Sequence, residues 1–280
     1  MTLRKTFSAL TLSLLFVLAA GVAPAAASGD SPIHPNDDTF DIPLIGGWLV
    51  KTFHLPAPLT RATVWMTIVA AFLVGLFAYA RRGGDQEKPS GLYNLLEAIV
   101  VFIRDEIAMK NIGHHHGRAW TPYLLTTFVF IYASNMVGLI PGTYTVTANI
   151  NVTAVLALMT LLMMQLGGIR QYGVVQHFKN LVPDGIPGFL LPVMVVVEIM
   201  GVLAKPFALA VRLFANMTAG HVIITSLLLL ITTLGAVFTP VSIAFSLFIF
   251  LLELLVAFLQ AYIFTMLTSL FIGMSVHVAH

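Results

Sequence analysis

Five side chains in the apolar C-terminal part of this sequence are of types that could hold or move a charge: Glu198, Lys205, Arg212, His221 and Glu253. Histidine exchanges protons near neutral pH, and glutamate does so when burial disfavours its charged form. Arginine does not, because its guanidinium stays protonated at every accessible pH. A row of exchangeable groups that ends at a fixed cation passes protons up to that cation and, by itself, no further. A charge at the centre of a membrane span costs about 2.5–3.5 kcal/mol even on a lenient insertion scale, so each of these residues is a functional candidate. For Glu198 and Lys205, nearer the cytoplasmic end of their stretch, snorkelling or a packing ion pair competes with that reading. Arg212 has apolar sequence on both sides, and function is favoured there.

Spacing sharpens the case. Glu198, Gly201, Lys205, Ala208, Arg212, Ala215 and Ala219 form a heptad seam in which every member is charged or small. Small residues on a membrane helix admit a close partner, so the seam presents Arg212 to a partner surface rather than to lipid. Asn216 and His221 continue the polar character further along, and the last apolar stretch carries Glu253, Ala257, Gln260 and Ala261 on one face. Two consecutive helices thus carry polar stripes, one with a permanent cation and one with a carboxylate and an amide.

These stripes stand out against the composition. Of 280 residues, 58% are hydrophobic and only 9% are Asp, Glu, Lys or Arg, against about 45–50% and about 25% in soluble domains. So few charges cannot cover a soluble particle, and most of the chain must lie in lipid. A net charge of +2 excludes a basic nucleic-acid binder, and zero cysteines exclude disulfides and thiolate metal sites. No Gly-rich phosphate loop and no Ser-His-Asp set is present, so the chain is not an enzyme on its own, and no cofactor is expected. His114, His115 and His116 are read as a solvated cytoplasmic loop rather than a metal site, because successive helical positions point about 100° apart and no further ligands lie nearby. Met159, Met163 and Met164 are read as packing residues; His34, His54, His277 and His280 are given no role.

The elements that must position the stripes form an all-α polytopic membrane protein of about five membrane helices, with an amphipathic helix on the cytoplasmic surface. Residues 1–27 have a positive start, an apolar run and an Ala25-Ala26-Ala27 end, the pattern of a cleaved signal peptide. Residues 28–61, rich in Pro, are expected to be an external segment, and the membrane domain covers 62–280. A span over about 62–80 ends in Arg81-Arg82, which the positive-inside rule places in the cytoplasm. The amphipathic helix over about 90–110 puts Leu92, Leu95, Leu96, Ile99, Val100, Ile103 and Ile107 on one face, with Asn94, Glu97, Arg104 and Asp105 opposite. Pro122 is expected to open a span over 122–140, closed by an external Pro141-Gly142 turn; another covers 150–168. The apolar stretches 187–238 and 241–274 are too long for simple spans. The first, as one helix, would reach about 80 Å against a hydrocarbon core of about 30 Å. It is either two spans with a turn near Pro206 or one long, strongly tilted and bent helix; excess length in both stretches favours tilt. The N-terminus is placed outside and the C-terminus in the cytoplasm.

The segment RLFANMTAGH, from Arg212 to His221, closely resembles the a subunit (subunit 6) of F-type ATP synthases. LQAYIF, from Leu259 to Phe264, and SNMVGLIPG, from Ser134 to Gly142, are two further points of resemblance, which extends over about Ala62 to Met274. The resemblance implies a proton-conducting stator subunit of the bacterial plasma (inner) membrane, with no nucleotide chemistry of its own. Its implied partners are a ring of c subunits, b-type peripheral stalk subunits and, indirectly, the catalytic sector. Arg212 stands at the family's essential arginine, between two offset half-channels. His221 and Glu253 match its external pair, in swapped order relative to enteric members; Asn216 and Gln260 match polar lining positions. Glu198 and Lys205 match the cytoplasmic side. Gly138 stands where some members carry an Asp, and Thr143, Thr145, Thr147, Asn149, Asn151 and Thr153 either line the external mouth in its place or form a solvated loop. The motif suits H⁺ or Na⁺, a choice made by ring residues. The competing class is a self-contained channel or antiporter using the same charges, which would conduct when purified alone; a pure assembly scaffold would tolerate Ala or Lys at position 212.

Overall fold

The computed structural model describes residues 61–82, 91–140, 143, 145–179, 189–234 and 239–277. The expected signal segment and the external segment up to residue 60 lie outside the described residues, as do Lys88 and the Pro141-Gly142 turn. The described chain is helical throughout. In chain order it forms α1 (Arg61–Arg82); α2 (Leu92–Phe102), a π-helical stretch (Ile103–Met109) and the short α3 (Lys110–Ile112); then α4 (His114–Gly138). A 3₁₀ turn (Val146–Ala148) leads to α5 (Ile150–Tyr172) and α6 (Val174–Lys179), followed by α7 (Leu191–Leu234) and α8 (Thr239–Val276).

The amphipathic reading of α2 holds along its core face, where Leu96, Val100, Ile103 and Ile107 are buried, although Leu95 points outward. On the polar side Arg104 donates from Nε and Nη2 to the two carboxylate oxygens of Asp105, at 2.7 and 2.9 Å. That bond holds the Asp105 carboxyl below the usual carboxylate range. Lys110 pairs with Glu106 one turn away.

Two expectations fail at the start of α4. The three consecutive histidines form its first turn rather than a loop, and Pro122 lies inside the helix instead of opening it. The break between α3 and α4 is made by Gly113, whose φ of 87° is open to glycine and costly for other residues. Its carbonyl accepts from Gly117 N–H at 2.8 Å, so the helix restarts at once. Pro122 then removes one rung of the ladder, in a helix held from outside: every residue from Thr121 to Ile131 is buried. Encasement also explains why α4 keeps Thr, Ser and Asn. A helix surrounded by protein need not look like lipid.

By length and composition α5, most of α7 (Leu191–Ile231) and α8 can cross a membrane, and α1 contains a shorter apolar run, Val64–Tyr79. Three of the five expected spans therefore qualify by this measure among the described residues, and α1 and α4 do not. The 44-residue α7 continues unbroken through Pro206, which decides against two spans with a turn. At 1.5 Å per residue it is about 66 Å long, roughly twice the hydrocarbon thickness. Lipid supplies no hydrophobic drive between helices, so packing comes from close approach. Gly117 sits so near the Ala108 carbonyl that a Cβ would lie 2.7 Å from its oxygen, and a Cβ at Gly273 would overlap the Asn111 carbonyl. Met159 and Met164 are buried, as packing residues should be.

Candidate functional site

The stripes of α7 and α8 meet as an antiparallel pair, and three contacts set the register. In the first half of α8, Glu253 lies against Gly220, where a Cβ would overlap its Oε1. Seven residues on, Gln260 Oε1 accepts from Asn216 Nδ2 at 2.8 Å. Further along, the Lys205 ammonium lies over the Phe271 ring, 5.7 Å from its centroid, within cation–π range.

Arg212 falls between the last two contacts. It is exposed and makes no hydrogen bond or ion pair with any described residue. α7 buries Pro206, Leu209, Ala210, Leu213 and Met217 against the bundle, while Ala208, Ala215 and Ala219 are exposed beside Arg212. The second half of the seam therefore faces away from the rest of the chain. The arginine is offered outward on a strip of small residues and is not neutralised from within.

Glu253 has the opposite setting. It is 6% exposed, and neither carboxylate oxygen has a hydrogen-bond partner among the described residues. A buried carboxylate without donors is costly when charged, so this group suits proton exchange better than ion pairing. His221, next to Gly220, is partly buried, with Nε2 2.5 Å from Thr145 Oγ1. Glycine at 220 thus lets Glu253 pack against α7 at the residue next to His221 in sequence, and the two members of the expected pair have no described bond with each other.

A second layer of polar groups comes from the α4–α5 connection. Thr147 donates to Asn135 Oδ1 at 2.6 Å, and Asn135 Nδ2 donates to the Ala257 carbonyl at 3.4 Å, tying α4 to α8 between Glu253 and Gln260. Of the expected polar series, only Thr145 and Thr147 reach the site. Thr143 donates to the carbonyls of Val137 and Ile140, Asn149 caps α5 by accepting from Asn151 N–H at 2.9 Å, and Thr153 bonds Ile150 O. Those are chain-end duties. Glu198 and Lys205 are half-buried; Glu198 has no hydrogen bond or ion pair with a described residue and lies 14 positions from Arg212, about 21 Å along the helix. The structure does not bring the two cytoplasmic-side residues together as a pair.

Three residues were missed. Asn135 lay inside a recognised motif, and an amide in an apolar span was the available signal; Gly220 carried none beyond adjacency to His221. His177 on α6 is buried, bonds Gln165 Oε1 through Nε2 at 2.6 Å and fills space beside Gly168. Burial pushes its pKa down, which keeps it neutral. His277 at the end of α8 anchors to the Ile112 carbonyl at 2.9 Å. Among the described residues no group of three or more His, Cys, Asp or Glu side chains is placed to hold a metal ion.

Comparison with known proteins shows the family of the chain. The family described as ATP synthase A chain matches residues 63–273. The chain is 49% identical over 223 residues to ATP synthase subunit a of Chloroherpeton thalassium, an alignment covering 78% of this chain and 66% of the relative. It is 47% identical over 229 residues to ATP synthase subunit a of Myxococcus xanthus, covering 81% and 75%. With the subunit a of Anaeromyxobacter dehalogenans (strain 2CP-1 / ATCC BAA-258) it shares 52% over 189 residues, covering 66% of this chain and 49% of that one. The alignments thus span between half and three quarters of the relatives' own lengths. A family match over most of the chain, on an all-helical membrane fold whose outward arginine lies within the matched residues, establishes that this chain belongs to the ATP synthase A chain family.

Proposed function

We propose that the chain is the proton-conducting stator of an F-type ATP synthase membrane sector, with a ring of c subunits against the open face of α7 and α8. The observation that carries this reading is Arg212: a permanent cation on an outward strip of small residues, with no hydrogen bond or ion pair to any described residue. A cation so placed calls for an anion from a partner surface, and a ring carboxylate that loses its proton on arrival supplies one. Arg212 then attracts the deprotonated carboxylate and bars direct passage between two half-channels, so that rotation is their only connection.

On the external side His221 and Glu253 hand protons to the ring past Asn216 and Gln260; on the cytoplasmic side Glu198 and Lys205 flank the exit. Each proton crossing 100 mV contributes about 2.3 kcal/mol, and that work becomes torque. The positive residues Arg81, Arg82, Arg104, Lys110, Arg118, Arg170 and Lys179 fall on one side of this topology, which puts the N-terminus outside and the C-terminus in the cytoplasm of a bacterial plasma membrane. The b-type stalk subunits hold the chain fixed against the ring, and nucleotide chemistry stays in the catalytic sector.

The test is ATP-driven proton pumping by the assembled complex in vesicles. Arg212→Ala should abolish pumping and leave soluble ATP hydrolysis intact, and the purified chain alone should not make liposomes proton-permeable. Normal pumping by the variant, or conduction by the isolated chain, would overturn the stator reading.

A further inference from the structure

His221 has a partner that fixes which of its nitrogens is free. Thr145 precedes the 3₁₀ turn in extended conformation, with φ of −80° and ψ of 101°, and is 6% exposed. Its side chain fills a notch on α4: a Cβ at Gly138 would overlap both Oγ1 and Cγ2 of Thr145. In that seat Oγ1 lies 3.3 Å from the Gly138 carbonyl and 2.5 Å from His221 Nε2. A hydroxyl has one hydrogen to donate and lone pairs to accept with. The carbonyl can only accept, so both contacts are satisfied at once when the Thr145 hydrogen points to the carbonyl and a hydrogen on Nε2 bonds Oγ1. His221 Nδ1 makes no hydrogen bond with a described residue.

We infer that Thr145 is a positioning residue for proton transfer at His221, holding the neutral imidazole as the Nε2–H tautomer so that Nδ1 takes up and releases the proton. This rests on the reading of His221 as part of the external proton path. No proton passes through Thr145: Nδ1 gains one to give the imidazolium and loses the same one, while Nε2 keeps its own hydrogen on Oγ1 throughout. The device resembles the orienting partners of metal-bound and catalytic histidines, where the hydrogen bond at one nitrogen sets the task of the other. It also gives Gly138 a purpose, since any larger residue there would expel the threonine.

Two substitutions separate the hydroxyl from its shape. Thr145→Val keeps the branched volume and should lower ATP-driven proton pumping on the order of tenfold, the scale typical for loss of a histidine's orienting partner. Thr145→Ser keeps the hydroxyl and should stay within about twofold of wild type on the same reasoning. A purely packing role predicts the reverse order, and a valine variant that pumps normally, or a serine variant as impaired as valine in an assembled complex, overturns the inference. Nitrogen-15 spectra of the wild-type complex with labelled histidine, the His221 signal assigned by its loss in His221→Gln, give a readout independent of any variant's folding. The Nε2–H pattern is expected, and the Nδ1–H pattern would overturn the assignment. Arg212→Ala run alongside keeps the two readings distinct: if that variant pumps, the stator function fails, whereas a silent Arg212→Ala with an active Thr145→Val removes only the role of Thr145.

Discussion

α4 and the α7–α8 pair both carry polar side chains in apolar surroundings, and the threonines of the one differ sharply from the two ionisable groups of the other. On α4 the hydroxyls of Thr121, Thr126 and Thr127 each donate to the carbonyl four residues back, at 2.8–3.0 Å. These groups are neutral, buried and satisfied within their own helix. On α7 and α8, Arg212 has no partner among the described residues, and both oxygens of Glu253 are buried without a described one. A polar group that closes its bonds locally costs little and holds structure; one left open must meet something that comes and goes. Buried hydroxyls without a described partner also occur, at Ser134 on α4 and at Thr218, Ser242 and Ser246 on α7 and α8, so the contrast concerns the ionisable groups, and it can be broken at either end.

The largest effect is expected at Arg212. Arg212→Ala removes a side chain that contacts no described polar group, so the amount of assembled complex should match wild type while pumping disappears. A fall in assembly as large as the fall in pumping would make Arg212 a structural residue and erase the distinction. Next comes Gly220→Ala. One methyl there overlaps Glu253 Oε1, and overpacking of this kind typically costs about 1–3 kcal/mol. Because the carboxylate must leave its place against α7, pumping should fall several-fold more than complex yield, both measured on the same vesicles. Equal losses would mean that the glycine serves only helix packing.

How much of this could be read from residues alone follows the same division. Arg212, Glu253, Asn216 and Gln260 were legible as candidates because a charge or amide in an apolar run is costly and its spacing puts it on a definite face, whereas the contact of Asn216 with Gln260 was not foreseen. The continuous α7 was legible only as one of two alternatives: Pro206 signals a break locally, and packing on the bundle overrides it. The start of α4 was misread for the same reason, since the turn belongs to Gly113 rather than to Pro122. Thr145 meeting His221 across 76 positions has no periodic signature, being set by a notch that exists only once the helices have packed. Likewise the outward direction of Arg212 depends on which face of α7 the bundle covers.

Glu253→Gln tests the exchange side more gently. The amide is nearly isosteric and the carboxylate oxygens bond nothing, so the fold should tolerate the change without loss of assembly. Proton uptake from the external side should slow several-fold, because one of the two exchangeable groups is gone while His221 remains. Complete loss would show that the pair is not shared work but a single indispensable carboxylate. Unchanged pumping would make Glu253 a packing residue despite its burial.

The smallest effect is expected in α4, from Thr126→Val. Thr126 is 1% exposed and its only described bond is to Pro122 O at 2.8 Å. Valine has nearly the same shape, so no cavity opens. The Pro122 carbonyl keeps its place as acceptor for the backbone N–H four residues on, so no buried acceptor is orphaned. Removing a hydrogen bond while leaving no partner unsatisfied falls at the low end of the usual range, under about 1 kcal/mol. The helix also has an unbranched ladder gap at Pro122 to tolerate, and the threonine side chain does not fill it. Thermal stability of the complex should therefore shift by a few degrees at most, and pumping should be unchanged. A large loss of pumping with normal stability would place α4's hydroxyls on the proton path and remove the line drawn between its closed polar groups and the open ones of α7 and α8.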